Sequence, residues 1–305
     1  KKCANCLVGT GISKYKVVSK FNRFMSKKFK PEFVMVENKK FFLDENDAHN
    51  LTVFGSRYKK YYIDCMLKEV KKGDIALSLG ANIGYFTIFL AEAIGKNGKV
   101  FAVEPEKENI ELLQKNIDAN NLKNVKVIPK AISDKNEKIK FKIVDENSCS
   151  TAPSGEHTIV IDEVGENILE IDAIGIDQYF KEISSSINFI IITIEGAELK
   201  ALKGMTNTIK QAKKLTIMTE FFPEKIRSLG DSPEEFIKLL TNFGFEFFDL
   251  DDGLIPIHKT DSKTIISNMN KDKFYRTDLL CKLRIDFAKL VLPEPLSPNI
   301  DRTSF

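Results

Sequence analysis

The period of the apolar positions changes near Asp74, and from there short apolar runs alternate with stretches of helical spacing. Ile75–Leu79 predicts a buried strand, Gly80–Gly84 a turn, and Tyr85–Ile94 a helix that Gly95 ends. Lys99–Val103 is a second strand. Glu106–Asn120 is a second helix, with Ile110, Leu113 and Ile117 at helical spacing, and Val125–Ile128 is a third strand. Strand–helix–strand units at this spacing predict a parallel α/β sheet whose right-handed crossovers put helices on both faces.

Further along, Lys138–Val144 alternates and predicts a hairpin arm or edge strand, Asp145–His157 is a polar loop, and Glu166–Ile176 alternates again. Phe189–Ile194 is the most apolar segment and predicts a central strand. Ala197–Gln211 follows as a helix, Leu215–Thr219 as a strand, Pro233–Phe243 as a helix, and Phe245–Leu250 and Leu279–Leu283 as the last strands. Upstream, Glu32–Glu37 and Lys40–Asp44 alternate like short strands. Tyr58–Val70 is a helix, with Tyr62, Met66 and Val70 on one face and a stop at Lys71–Asp74. The expected division is an N-terminal extension over 1–70, an α/β domain over 71–283 and a surface tail over 284–305.

Composition removes whole classes. With 305 residues, 43% hydrophobic and 29% charged, the chain can build a sizeable core and is neither disordered nor collagen-like. Lys and Arg number 46 against 43 Asp and Glu, and a net charge of +3 predicts no nucleic-acid partner. No apolar run reaches the roughly 18–20 residues of a membrane span. The weakly apolar start KKCANCLVGTGISKYK is a poor leader, so a cytoplasmic protein, or one on the cytoplasmic membrane face, is expected. Of five cysteines, Cys65, Cys149 and Cys281 stand alone, which argues against a disulfide framework. Cys3 and Cys6 have the spacing of half a zinc site without a second pair, and no metal is predicted. The basic, aromatic stretch Lys14–Lys30 reads as a solvated face, with peripheral contact to an anionic membrane surface as the alternative.

Candidate chemistry concentrates at four places. In Leu79-Gly80-Ala81-Asn82-Ile83-Gly84-Tyr85-Phe86-Thr87 a buried strand delivers a glycine turn to a helix start, where bending, ligand approach and amide donors are all available. Its GxxxG spacing is neither that of the dinucleotide fingerprint nor that of a P-loop. Glu104-Pro105 ends the next strand, where an acidic residue can accept from ribose hydroxyls. Lys130-Ala131-Ile132-Ser133-Asp134 closes the third strand. Ile194-Glu195-Gly196-Ala197-Glu198 closes the central one, at the carboxyl edge where open sheets bind ligands.

The sequences GANIGYFT, VEPEKENIELLQKNIDANNL, KAISD and IEGAELKALKGM, in that order, resemble FkbM-type class I S-adenosylmethionine-dependent methyltransferases over about Gly73–Leu250. The resemblance implies a Rossmann-like, seven-stranded mixed sheet with one antiparallel strand near the edge, and 1–70 as a substrate-side cap. It implies S-adenosylmethionine held by Ser78, Gly80, Ala81, Asn82, Gly84, Phe86 and Thr87, with Glu104 and Pro105 at the ribose and Ala131, Ile132 and Ser133 beside the adenine. The acceptor it implies is a hydroxyl of a sugar, glycolipid or secondary metabolite.

Two departures stand out. Ser78 replaces the Asp of the family's DxGANxG, and Ile191 and Thr193 replace the Lys and Asp of KIDxEGAE. Glu195 and Glu220 are the candidate bases, with Thr193 beside them at the catalytic strand end. The alternative is a catalytically impaired relative that binds the nucleoside or a partner without turnover.

Overall fold

A computed structural model describes residues 31–43, 58–142, 158–159, 168–250 and 257–284. The basic N-terminal stretch, Cys3 and Cys6, most of the loop over 145–165 and the tail after 284 lie outside the described residues.

The chain enters through a hairpin, β1 (Phe33–Val36) and β2 (Lys39–Phe42), and a helix α1 (Lys60–Glu69). Then come β3 (Ile75–Leu79), α2 (Tyr85–Ile94), β4 (Lys99–Val103), α3 (Lys107–Ala119) and β5 (Val125–Ile128). A four-stranded side sheet follows, from β6 (Ala131–Ile132), β7 (Glu137–Lys142), β8 (Thr158–Ile159) and β9 (Ile168–Ile174), in the order β6-β9-β7-β8. After the short α4 (Ile176–Tyr179) the main sheet resumes with β10 (Ile187–Ile192), α5 (Glu198–Gly204), α6 (Thr206–Gln211), β11 (Thr216–Phe221), α7 (Pro223–Ser228), α8 (Pro233–Asn242) and β12 (Phe245–Asp249). It ends with β13 (His258–Thr260), α9 (Ser262–Lys271) and β14 (Thr277–Leu283).

The main sheet runs β13-β12-β14-β11-β10-β3-β4-β5. The strands from β5 to β11 are parallel, and β14 is inserted antiparallel between β11 and β12. This is the class I methyltransferase arrangement, with eight strands rather than the expected seven because β13 adds to the edge. The chain progresses outward from β3 in both directions, so the topological switch point, where such sheets bind ligands, lies between β3 and β10.

Alternation along the central strands fills both faces. Leu77, Leu79, Ile190, Ile192 and Ile217 pack under the helices of one face. Ala76, Phe189, Ile191 and Met218 pack with α1, α2 and the hairpin on the other. Ile191, fully buried there, occupies the place of the family's lysine. The hairpin is fixed by Asn116 of α3 and by Asn120, which caps that helix: Asn116 accepts from Phe42 N (2.6 Å) and donates to Ile83 O (2.8 Å), and Asn120 accepts from Lys40 N (3.0 Å). The helix expected over Ala197–Gln211 is two, broken at Met205 (φ −121°). Beside the break Gly204 lets the Ser133 segment approach, since a Cβ there would lie 2.5 Å from Ser133 O.

Candidate functional site

The turn after β3 is built by left-handed residues: Gly80 (φ +79°), Asn82 (φ +48°) and Gly84 (φ +93°). What Gly80 admits is protein rather than ligand. A Cβ there would sit 2.1 Å from the Thr193 carbonyl oxygen, so the glycine lets β10 close on β3. Thr193 completes that closure: its N–H donates to Leu79 O (3.0 Å), and its hydroxyl lies 3.3 Å from Leu79 O and 3.2 Å from Gly80 O. The hydroxyl of Thr193, expected at the catalytic strand end, is therefore engaged by carbonyls of the turn. Ser78 and Thr87, expected among the ligand contacts, are buried beneath the turn, where Thr87 donates to Ser78 Oγ (2.9 Å). They brace α2 against β3. Ala81 and Gly84 are buried, while Asn82 and Phe86 remain partly accessible.

Glu104 closes the turn from the other side. Its Oε2 accepts from Asn82 N (2.8 Å), and its Oε1 accepts from Glu106 N (3.1 Å) and Asn109 Nδ2 (3.3 Å). Burial raises the carboxyl above its usual range, and the three donors oppose that shift. Pro105, half-buried, follows it out of the strand. The Ala131–Ser133 segment forms the start of the side sheet: Ala131 pairs with Ala173, and Ser133 N donates to Ile174 O (3.0 Å). All three residues are buried, and the Ser133 hydroxyl contacts Glu137 and Asp134, so its polar atoms are used within the protein.

At the end of β10 the chain turns through Glu195, a non-glycine residue at φ +44°. Strain of this kind is concentrated at functional turns. Glu195 Oε2 faces Lys225 Nζ at 3.3 Å. The turn is held from inside by Glu198, whose Oε2 accepts from Gly196 N (2.9 Å). Glu198 is 1% exposed. Burial pushes its carboxyl up to about 7, partly offset by the amides of Glu198 and Gly196 and reinforced by Glu220 and Glu195.

Glu220, at the end of β11, faces the same carboxyl edge and pairs with Lys59 Nζ at 3.0 Å. Lys59 also reaches Asp278 Oδ2 (2.7 Å), the residue opposite Glu220 on β14, and Tyr61 donates to the same oxygen (2.6 Å). Burial alone would lower the Lys59 ammonium, but Glu220 and Asp278 outweigh it and hold it above the usual lysine range. Tyr85 ties this segment to the glycine turn: its hydroxyl donates to Tyr58 O (2.6 Å), and the two rings meet edge to face at 5.0 Å. The structure thus brings Glu195, Glu220 and the Gly80–Glu104 turn to one edge of the sheet. It adds Glu198, Lys225, Lys59, Tyr61 and Asp278, to which the sequence reading gave no role. Asp278 and Lys59 were findable in principle, as charged residues at the boundaries of an apolar strand and a helix.

Residues 78–247 match the family model described as Methyltransferase FkbM domain, more than half of the chain. The chain belongs to the FkbM methyltransferase family. Among curated proteins, a protein-L-isoaspartate O-methyltransferase of Methanococcoides burtonii is 35% identical over 66 residues, 22% of this chain and 32% of that protein. The chain spans about a third of the length of the curated relatives it matches.

A methyltransferase FkbM structure from Methylobacillus flagellatus is 18% identical, covering 70% of this chain and 44% of that one at TM-score 0.43. A SAM-dependent methyltransferase from Aquifex aeolicus is 16% identical, covering 75% and 93% at TM-score 0.39. In this FkbM-family chain the matched segment opens at Ser78, inside β3, and closes in β12. Lys59, Tyr61 and Asp278 therefore come from outside it.

Proposed function

We propose that this FkbM-family protein is an S-adenosylmethionine-dependent methyltransferase acting on a hydroxyl of a sugar, glycolipid or secondary metabolite. The observation that carries the reading is the Gly80–Gly84 turn locked to the buried Glu104 carboxylate beside the switch point. These residues fit the nucleoside end of the donor. A carboxylate offers about four acceptor sites. Among the described residues Glu104 uses three of them, on Asn82, Glu106 and Asn109, which leaves one for a ribose hydroxyl. The start of α2 offers amide donors and the positive end of the helix dipole.

When bound, the donor supplies an activated methyl group on a sulfonium. The rest falls to the chain, which must orient the acceptor oxygen and take its proton. Glu195 takes the proton. It stands directly after β10 at the switch point, its backbone is fixed by the Glu198–Gly196 bond, and Lys225 orients its carboxylate. Glu220 lies one strand further out and serves the acceptor side with Lys59. Thr193 holds the end of β10 against the turn after β3, and Ser78 braces α2 against β3.

The test is methyl transfer from labelled S-adenosylmethionine to a panel of hydroxyl acceptors, comparing wild type with Glu195→Gln. Loss of at least about 100-fold in kcat, with donor affinity kept, is the size expected for a general base. Equal turnover by the variant removes Glu195 from that role.

A further inference from the structure

The loop that leads from α9 into β14 reads Lys271-Asp272-Lys273-Phe274-Tyr275-Arg276. Because β14 runs antiparallel to β11 and pairs Thr277 with Phe221, this loop stands at the carboxyl end of β11, beside Glu220. Phe274 is 72% exposed, the most exposed large apolar side chain among the described residues. Asp272 shapes the loop: its Oδ1 accepts from Phe274 N (2.9 Å) and its carbonyl accepts from Tyr275 N (3.1 Å). That carboxylate serves the loop's own backbone. Lys271, Lys273 and Arg276 are exposed and, among the described residues, make no ion pair. An aromatic ring is thus held out to solvent among three cations, at the sheet edge that carries Glu195 and Glu220.

The chain enters the described fold near the same edge. Residues 1–30 hold nine Lys and Arg, no Asp or Glu, and four aromatic rings, Tyr15, Phe21, Phe24 and Phe29. They lead into β1, where Phe33 pairs with Phe42, and Asn116 holds both Phe42 N and Ile83 O of the glycine turn. Exposed rings among cations fit the headgroup layer of an anionic bilayer, where aromatic side chains settle and each Lys or Arg adds roughly fivefold in affinity. A nucleic acid fits less well. A strand lying on the loop would run on over Glu195, Glu220 and Asp278, where three carboxylates face the two ammoniums of Lys59 and Lys225. A flat surface touches the outstanding loop and leaves the edge behind it to a headgroup.

We propose that the 271–276 loop and the basic N-terminal segment hold this edge against an anionic lipid surface, so that the methyl acceptor is a glycolipid presented by the bilayer. The glycolipid assignment rests on the methyltransferase reading above; the docking face does not.

The test uses the full chain without donor, mixed with vesicles of phosphatidylcholine alone or with about a third phosphatidylglycerol. Sedimentation should show at least about tenfold tighter binding to the anionic vesicles, weakening as added salt shortens the screening length. Phe274→Ser and Lys273→Glu should each weaken it at least about fivefold, with melting temperatures unchanged because both side chains are exposed. The chain has no Trp, so Phe274→Trp carries a single indole. Its emission should shift to the blue on anionic vesicles and be quenched by brominated lipid. Equal binding to the two vesicle types, wild-type binding by either variant, or an indole that stays in water overturns the docking face. A duplex RNA that binds as tightly as the anionic vesicles and competes with them makes it a nucleic-acid surface and overturns it too. Failure of S-adenosylhomocysteine to bind, in a separate titration, removes the methyltransferase reading and the glycolipid assignment, while the vesicles alone decide the docking face.

Discussion

Replacing Glu198 by Gln should stabilise the protein at pH 8 and change little near pH 4.5. The wild-type carboxyl has an ordinary value of 4.5 and is pushed up to about 7 by burial. Below pH 4.5 it is protonated both folded and unfolded, and contributes no pH dependence. Between 4.5 and 7 the unfolded chain releases the proton while the folded chain keeps it, so stability falls as pH rises. Above 7 both states are ionised and the loss is complete. A shift of that size corresponds to about 3 kcal/mol, each unit being worth about 1.4. Gln keeps a carbonyl to accept from Gly196 N and cannot ionise, so it escapes the loss. The assay is urea unfolding of both proteins at pH 4.5, 6 and 8, with stability taken from the midpoint at constant m. Gln is expected to gain on Glu progressively, to about 2–3 kcal/mol at pH 8. A difference that is the same at all three values would refute the buried, proton-holding Glu198.

Gly80→Val should fail to fold or lose several kcal/mol, because its Cβ would meet the Thr193 carbonyl at 2.1 Å and its φ is +79°. Circular dichroism melting near wild type would show that β10 can retreat. Asn116→Ala should cost about 2–4 kcal/mol by releasing the Phe42 and Ile83 backbone groups it satisfies, and native-state hydrogen exchange should show β1–β2 opening first. Lys59→Met should cost about 2 kcal/mol, since Asp278 is left nearly buried with only Tyr61. Adding Asp278→Asn should recover most of that loss in a double-mutant cycle, and strict additivity would show that the pair is not coupled.

The β3–turn–α2 unit was legible residue by residue, because Ile75–Leu79 is a short apolar run bounded by Asp74 and Gly80 and the helix ends at Gly95. The last strand was visible as an apolar run and the resemblance implied one antiparallel strand near the edge, but the place of β14 between β11 and β12 came only with the structure. The break at Met205 was not legible, since the apolar spacing continues across it. The helix over Ser262–Lys271 went unread although Asp261 caps it by accepting from Thr264 N (2.8 Å), a signal present in Asp-Ser-Lys-Thr. At the site, spacing located the turn, Glu104 and the end of β10, but not which polar atoms the fold consumes. Ser78, Thr87, Thr193 and Ser133 all looked available in sequence and are engaged by protein partners. Lys59 and Asp278, which complete the acceptor edge, lie 219 residues apart and meet only through the fold.

The most direct measurement of the central claim is a calorimetric titration of S-adenosylhomocysteine into wild type and Glu104→Ala. Wild type should bind one equivalent. The variant should bind at least about tenfold more weakly, the scale of losing a charge-assisted hydrogen bond to ribose. No binding to folded wild type, or equal affinity for the two proteins, would contradict it.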